Sequence, residues 1–228
     1  MSRLFLLLAL IVFVSPLTAA DYYWIGGAGA WSNISNWATT SGGVVTHNTA
    51  PTADDNVIFD VNSFTAPNQQ VLLDGDLAFC RNMRWETGTQ GAKFMAASSA
   101  TLNVFGGLQL STEMVFDFQG NVRFVGDNTG NIIDLAGQSF LRDVTFQSLG
   151  GAWSLESDLA VMGVLYFYDG QLVANGHNLL CERFYASAFT PGSLLDLTGS
   201  MVTITGIDEQ FERDAYTLNI QGGSNSVF

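Results

Sequence analysis

Met83-Arg84-Trp85 is the first of six short stretches that decide the fold; the others are Leu102-Asn103-Val104, Val122-Arg123-Phe124, Val144-Thr145-Phe146, Val164-Leu165-Tyr166 and Val202-Thr203-Ile204. Each has a large apolar residue, any residue, and a second large apolar residue. Their starts lie 19, 20, 22, 20 and 38 residues apart, and Phe184-Tyr185-Ala186 sits near the middle of the long gap as a weaker copy. Apolar residues two apart point to one face of a strand, and such a period is typical of solenoids.

The pattern therefore predicts an all-β fold, a parallel β-helix (β-solenoid) with coils of about 20 residues and strands stacked in register on the coil before. An ordinary antiparallel sandwich or barrel stays open, because short strands at regular spacing also suit those folds.

A longer repeat predicts the state of the two cysteines. Cys80 to Gly106 aligns with Cys181 to Gly206 after one gap, about 100 residues or five coils apart. With strands about 4.8 Å apart the two thiols would be roughly 24 Å from each other, whereas a disulfide needs Cα atoms within about 7 Å. Two buried free thiols are expected.

Composition and charge bound the function. The 228 residues are 47% hydrophobic and 13% charged, with a formal net charge of −13. Such a chain can bury a core, and its acidity argues against a nucleic-acid partner, which needs a basic surface. Residues 1–20 read as a secretory signal peptide, with Arg3, an apolar run from Leu4 to Val14 and small residues before Asp21. The protein is therefore expected to be secreted, extracellular or at the cell surface, with no membrane span after signal removal.

Residues 21–70 are predicted to form an N-terminal capping segment, and residues 71–228 the coils. Three of the five tryptophans, Trp24, Trp31 and Trp37, fall among glycines in this segment. Solenoid ends expose strand edges and need a cap, so these three rings are assigned to a structural cap. The alternative is a sugar-stacking platform with Tyr22, Tyr23 and Trp24 as glycan contacts.

The segment also resembles a known class of proteins. Trp24-x-Gly26-Gly27-x-Gly29-x-Trp31, Asn36-Trp37, then Pro51 and Asp54-Asp55-Asn56-Val57-Ile58-Phe59 look like the start of large secreted bacterial surface proteins. These are the adhesin-like proteins of the Bacteroidetes and autotransporter passengers. The resemblance implies a parallel β-helix at the cell surface and carries no catalytic residues. It also implies a C-terminal sorting domain, which does not follow here.

No catalytic or cofactor-binding residues are predicted. The sequence has no nucleophile motif, no phosphate-binding loop and no pair of ligands at a metal-binding spacing. His47 and His177 lie in a loop and beside a turn. Asp54, Asp55, Asp74 and Asp76 are weak candidates for Ca²⁺, although Asp beside Gly is ordinary turn chemistry. Asp117, Asp134 and Asp143 lie in or near successive predicted strands, where they could converge on one face.

Two functions follow from these observations. The first is a non-catalytic β-solenoid with an adhesin-like or scaffolding role, whose partner is a host surface, the matrix or a glycan. The second is a carbohydrate-active β-helix, either a polysaccharide lyase or hydrolase or a glycan-binding module.

The C-terminal stretch predicts one more strand, Tyr216-Thr217-Leu218-Asn219-Ile220, and the start of another at Asn225-Ser226-Val227-Phe228. Without a polar terminal repeat, the coils are expected to continue beyond this chain, and the open end to self-associate. The alternative is that Ile207 to Asp214 folds back as an acidic cap.

Overall fold

The computed structural model describes residues 19–187 and 191–206, together with the backbone of two further strands. The strands are β1 (Asp21–Trp24), β2 (Gly29–Ala30), β3 (Trp37–Ala38), β4 (Asn56–Phe59), β5 (Gln70–Leu73), β6 (Leu77–Cys80), β7 (Met83–Trp85), β8 (Lys93–Ala96), β9 (Thr101–Val104), β10 (Leu108–Gln109), β11 (Val115–Phe118), β12 (Asn121–Phe124), β13 (Asn131–Asp134), β14 (Val144–Phe146), β15 (Ala152–Leu155), β16 (Leu159–Phe167), β17 (Gln171–Val173), β18 (Leu179–Ala186), β19 (Leu194–Asp196), β20 (Val202–Ile204), β21 (Phe211–Arg213) and β22 (Asn219–Gln221). One turn of 3₁₀ helix, Ile34–Asn36, precedes β3.

The strands form three parallel sheets wound as a solenoid. Sheet A has the order β22-β19-β17-β15-β13-β10-β7-β4-β1-β3, sheet B the order β11-β8-β5-β2, and sheet C the order β20-β18-β16-β14-β12-β9-β6, with β21 also on β18. Every pairing of these strands is parallel except that of β1 with β3. About seven turns of about 22 residues each result. The predicted β-solenoid is confirmed, and the antiparallel sandwich or barrel is wrong.

Inward side chains stack in columns along the solenoid axis. In sheet C, Leu102, Val122 and Val144 are register partners from coil to coil, as the repeated pattern predicts, and the column continues through Leu165 to Phe184. All five are essentially inaccessible to solvent. Burial of a Leu, Val or Phe side chain contributes about 1.5–3 kcal/mol, so such a column stabilises every coil it crosses.

Three of the six stretches sit differently from the prediction. Met83–Trp85 lies in sheet A and not in sheet C. The inward pair of β16 is Leu165 and Phe167, one residue later than predicted. Val202–Ile204 pairs with Leu179–Cys181 at the beginning of β18, and not with Phe184–Ala186.

A β-bulge explains the shift in β16. The register between β16 and β18 slips between Val161 and Val164. At the bulge the backbone N–H of Val164 donates to the Asp143 carboxylate at 2.9 Å, and a Cβ on Gly163 would lie 2.4 Å from the same oxygen. A bulge adds one residue to a strand and moves every later side chain to the other face. Spacing alone does not reveal it.

The two cysteines do not occupy the equivalent positions that the predicted repeat would require. Both are buried and free, as predicted. The column of Cys80 runs through Val104, Phe124, Phe146 and Phe167 to Ala186, whereas Cys181 pairs with Val161 and Ile204. The strands that hold them are five steps apart in sheet C, yet the residues belong to different columns.

The solenoid begins earlier than the predicted boundary at residue 71. β1 pairs in parallel with β4, β4 with β7, and β2 with β5. Residues 21–70 therefore supply the first coil as well as a cap. The closing strand is β3, which lies antiparallel on β1 at the edge of sheet A.

Sheet B extends over only the first coils of the solenoid. Sheet B has no strand after β11 among the described residues, and its place is taken by Phe140, whose ring centroid is 5.6 Å from that of Phe116. Phe140 forms a single parallel bridge with Val161 at the start of β16. The long strands β16 and β18 therefore cover two faces of the later coils.

Several predictions fall partly or wholly outside the described residues: most of the signal peptide 1–20, the acidic cap from Ile207 to Asp214, the strand start at Asn225–Phe228, and the first residues of the strand Tyr216–Ile220, which overlaps β22. Within the described part of the chain, no helix has the length and apolar character needed to cross a membrane.

Candidate functional site

The three capping tryptophans close the first coil. Trp24, Trp31 and Trp37 are 0%, 4% and 0% exposed. The ring of Trp37 meets those of Trp24 and Trp31 edge to face, at centroid distances of 4.9 and 4.8 Å. Hydrogen bonds fix two of the three indoles: Trp37 Nε1 donates to the Trp31 carbonyl at 2.8 Å, and Trp24 Nε1 donates to the Gly27 carbonyl at 3.0 Å. The burial of Trp31 and Trp37 that a cap predicts is confirmed, and Trp24 is buried with them.

The glycines of this segment make room for one amide. Asn36 is buried, and its Nδ2 donates to the Ala30 carbonyl at 2.9 Å. A Cβ on Gly26 would lie 2.5 Å from Asn36 Cγ, and one on Gly29 would lie 2.5 Å from Nδ2. The pattern of Trp, Gly and Asn-Trp is therefore a packing unit, in which Asn36 holds the strand β2 while Trp37 covers the core.

Two of the three predicted glycan contacts are wrong. Tyr22 and Trp24 are buried, so neither ring can lie against a sugar. Tyr22 is covered by His47, whose ring stacks on it at 3.6 Å, and its hydroxyl lies 3.0 Å from Thr49 Oγ1. Tyr23 is half-buried on the outer face of β1.

Two of the four aspartates proposed for Ca²⁺ accept hydrogen bonds from backbone N–H and hydroxyl groups. Asp55 accepts from the N–H and hydroxyl of Thr52 at 2.9 and 2.6 Å. Asp74 accepts from the N–H and hydroxyl of Ser32 at 3.0 and 2.5 Å. Asp54 and Asp76 are exposed. Residues 19–187 and 191–206 contain no group of three or more His, Cys, Asp or Glu side chains that could hold a metal ion.

Asp74 instead ties the capping segment to the first full coil. Burial acts to raise the pKa of its carboxyl, but the hydrogen bonds from the hydroxyl and N–H of Ser32 outweigh it and hold the pKa below its ordinary value. The Ser32–Asp74 pair is thus a clasp between the turn after β2 and the turn after β5.

The three aspartates expected to converge are on three different sheets. Asp117 lies in β11 of sheet B, Asp134 in β13 of sheet A, and Asp143 directly before β14 of sheet C. Parallel sheets of one solenoid face away from each other on the outside, so these carboxylates cannot act on one ligand. That prediction is wrong, because successive strands of the chain belong to successive faces.

A polar groove of about 500 Å³ follows the outer face of sheet A. Its floor is a ladder of amides between coils. Asn56 Nδ2 donates to Asp21 Oδ1 at 2.8 Å, Asn82 Nδ2 to Asn56 Oδ1 at 2.8 Å, and the N–H of Gly107 to Asn82 Oδ1 at 2.7 Å. Because these hydrogen bonds connect four coils, we interpret the ladder as a structural feature that stabilises the solenoid. Arg84 beside it is exposed and forms a 3.0 Å ion pair with Glu86.

The sequence carries a signal for this ladder that the apolar pattern passes over. Asp21, Asn56, Asn82 and Gly107 each directly precede an inward-facing residue of a sheet A strand. A polar side chain recurs at this place in three successive coils, and Gly107 supplies a backbone N–H in the fourth.

Comparison of the chain with protein-family models, with curated proteins and with solved structures finds no match.

Proposed function

We propose that the protein is a non-catalytic secreted or cell-surface β-solenoid with an adhesin-like or scaffolding role. The observation that carries the proposal is the unbroken column from Leu102 to Phe184, which makes each coil a rigid support for the next. At about 4.8 Å per coil, the solenoid is a short stiff rod. Its mechanism is display: it holds binding surfaces or other modules away from the cell.

Export to the surface rests on two features of the sequence. Residues 1–20 have the order of charge, apolar run and small residues that a signal peptide requires. The Trp24 to Trp37 segment is similar to the opening of Bacteroidetes adhesin-like proteins and autotransporter passengers. Host surface, matrix and glycan are the partners that such a display role implies.

Localisation is tested on the full chain. Expression in a bacterial host followed by surface labelling of intact cells should reveal the protein, and the mature N-terminus should lie near Asp21. A chain that retains Met1 and stays in the cytoplasm would overturn the proposal.

The alternative is a polysaccharide lyase or hydrolase. Such an enzyme needs carboxylates and a base within hydrogen-bond reach of one substrate, whereas Asp117, Asp134 and Asp143 lie on separate sheets. The mature protein should release no product from acidic or neutral polysaccharides. Turnover that is abolished by Asp134→Asn or Arg123→Ala would establish the enzyme instead.

A further inference from the structure

Three tyrosine rings lie together on the outer face of sheet C. Tyr166 and Tyr168 are two residues apart at the end of β16, and Tyr185 of β18 is the register partner of Tyr166. Ring centroids are 5.6 Å apart for Tyr166 and Tyr168, 6.1 Å for Tyr166 and Tyr185, and 6.0 Å for Tyr168 and Tyr185. All three are half-buried, while the intervening Phe167 and the adjacent Phe184 are 0% exposed in the core. We call these three residues the tyrosine platform.

The platform is rigid before anything binds. Its strands are held from below by core columns, and its rings contact one another, so few side-chain rotamers remain to be lost on binding. Tyrosine provides a large apolar face and a hydroxyl at small entropic cost. Among the described residues, none of the three hydroxyls forms a hydrogen bond.

Polar side chains border the platform on the two preceding strands. Thr145 pairs with Tyr166, and Arg123 pairs with Thr145. Gln147 lies two residues beyond Thr145, beside Tyr168 in the sheet. The guanidinium Nη2 of Arg123 donates to Gln147 Oε1 at 2.9 Å, and this pair is exposed. A donor-rich border therefore adjoins the aromatic surface.

A second guanidinium, that of Arg183, lies on the same strand as Tyr185, whose register partner on β21 is Glu212. Arg183 is the register partner of Val164 and lies two residues before Tyr185. Burial and then Asp143 raise the pKa of Tyr166, whereas Arg183 acts to lower it. Asp143 already accepts from the backbone at the bulge. Arg123 and Arg183 have no carboxylate ion-pair partner among the described residues. In a chain with 8 basic and 21 acidic residues, two of the guanidiniums thus lie beside one aromatic cluster, where the Asp143 carboxylate is also close to Tyr166.

This combination identifies the chemistry of the ligand. The C–H face of a sugar ring packs on an aromatic face, and its hydroxyls need donors and acceptors at the border of the contact. Guanidinium groups bind carboxylates through paired N–H donors. A stable protein partner would need about 800 Å² of surface on each side, far more than three rings cover. We propose that the tyrosine platform binds an acidic glycan, with sugar rings on Tyr166, Tyr168 and Tyr185 and uronic acid carboxylates at Arg123 and Arg183.

Binding is tested by calorimetry on the full mature chain, with oligomers of galacturonate, alginate and hyaluronan and the carboxyl-reduced form of each as probes. At least one acidic oligomer should bind, and its reduced form should bind about tenfold more weakly. Tyr166→Ala and Tyr168→Ala should each weaken binding of the acidic oligomer by about tenfold or more, since each removes one of the rings on which a sugar packs. Arg183→Ala should reduce the preference for the acidic form, because Arg123 remains to bind a carboxylate. This site goes beyond the scaffolding role, which neither requires nor excludes it.

Two controls keep the result interpretable. Tyr23→Ala alters a half-buried tyrosine on the outer face of sheet A and should leave binding unchanged. Tyr166→Phe keeps the ring and the fold, and should retain most of the affinity. Absence of binding to all three acidic oligomers, equal binding of the reduced forms, or an equal loss in Tyr23→Ala would each overturn the proposal.

Discussion

A single amide decides whether the N-terminal residues can close the solenoid. Gly26→Ala would place a methyl group 2.5 Å from Asn36 Cγ and 2.8 Å from its Cβ. The Asn36 side chain cannot swing away without giving up its hydrogen bond to the Ala30 carbonyl, so we expect a loss of about 1–3 kcal/mol in unfolding free energy, as for other overpacked sites. Thermal unfolding measures it.

Gly75→Ala is the matched control, because a Cβ there would meet only a carbonyl at 3.9 Å. Equal melting temperatures for the Gly26 and Gly75 variants would show that the close packing around Asn36 does not contribute to stability.

The two thiols provide a second test at the scale of residues. Burial raises the pKa of Cys181 to about 12, and burial raises the pKa of Cys80 as well. Because the thiolate is the reactive form, neither should react with a thiol reagent in the native protein at pH 8. Both should react after unfolding without reductant, and mass spectrometry counts the adducts. A native mass two hydrogens below the reduced value would contradict two separate thiols.

At the scale of strands, the clasp between Ser32 and Asp74 makes the N-terminal end sensitive to acid. The folded pKa of Asp74 is depressed, so its stabilising contribution is complete above the ordinary carboxyl pKa of about 3.9 and is lost as the pH falls through the lower folded value. On acidification, the melting temperature of the native protein should therefore fall by the amount that the clasp contributes. Asp74→Asn does not titrate, so its melting temperature should not show this acid-dependent fall.

Ser32→Ala is the companion variant. It removes the hydroxyl donor but keeps the N–H, so the acid-dependent increment should shrink without vanishing. An unchanged pH profile in both variants would show that the clasp has no effect on stability.

The strands themselves could be predicted because their apolar spacing repeats. Leu102, Val122 and Val144 stack as their positions indicate. The sheet of Met83 and the shift at Val164 could not be predicted, since the same two-residue alternation suits every face and a bulge leaves no mark in apolar spacing.

The tyrosine platform could not be predicted from the sequence for a related reason. Tyr166 and Tyr185 are 19 residues apart, and only the register of β16 with β18 makes them neighbours.

At the scale of the whole molecule, residues 21–55 cover the edge of strand β4 in sheet A with strands β1 and β3. A variant that begins at Asn56 would leave β4 without β1 and expose a row of unpaired backbone groups. It would also uncover the ring of Phe59, which is 0% exposed in the intact fold. We expect this variant to form dimers or larger species, as light scattering across concentrations would show.

The full mature chain, measured at the same concentrations, is the reference for that experiment. If the shortened chain has the same association state as the reference, strand β4 is protected by something other than the N-terminal segment.

The contact of Trp37 with both Trp24 and Trp31 gives the molecule an optical signature at one end. Indole rings that cross at 78° and 75° with centroids under 5 Å apart share their electronic transitions, and coupled transitions of this kind produce paired circular-dichroism bands of opposite sign. The two remaining tryptophans, Trp85 and Trp153, lie farther along the axis in other strands. Loss of the paired bands before the loss of the β-sheet signal would therefore report fraying that starts at the first coil, read directly from the unlabelled protein.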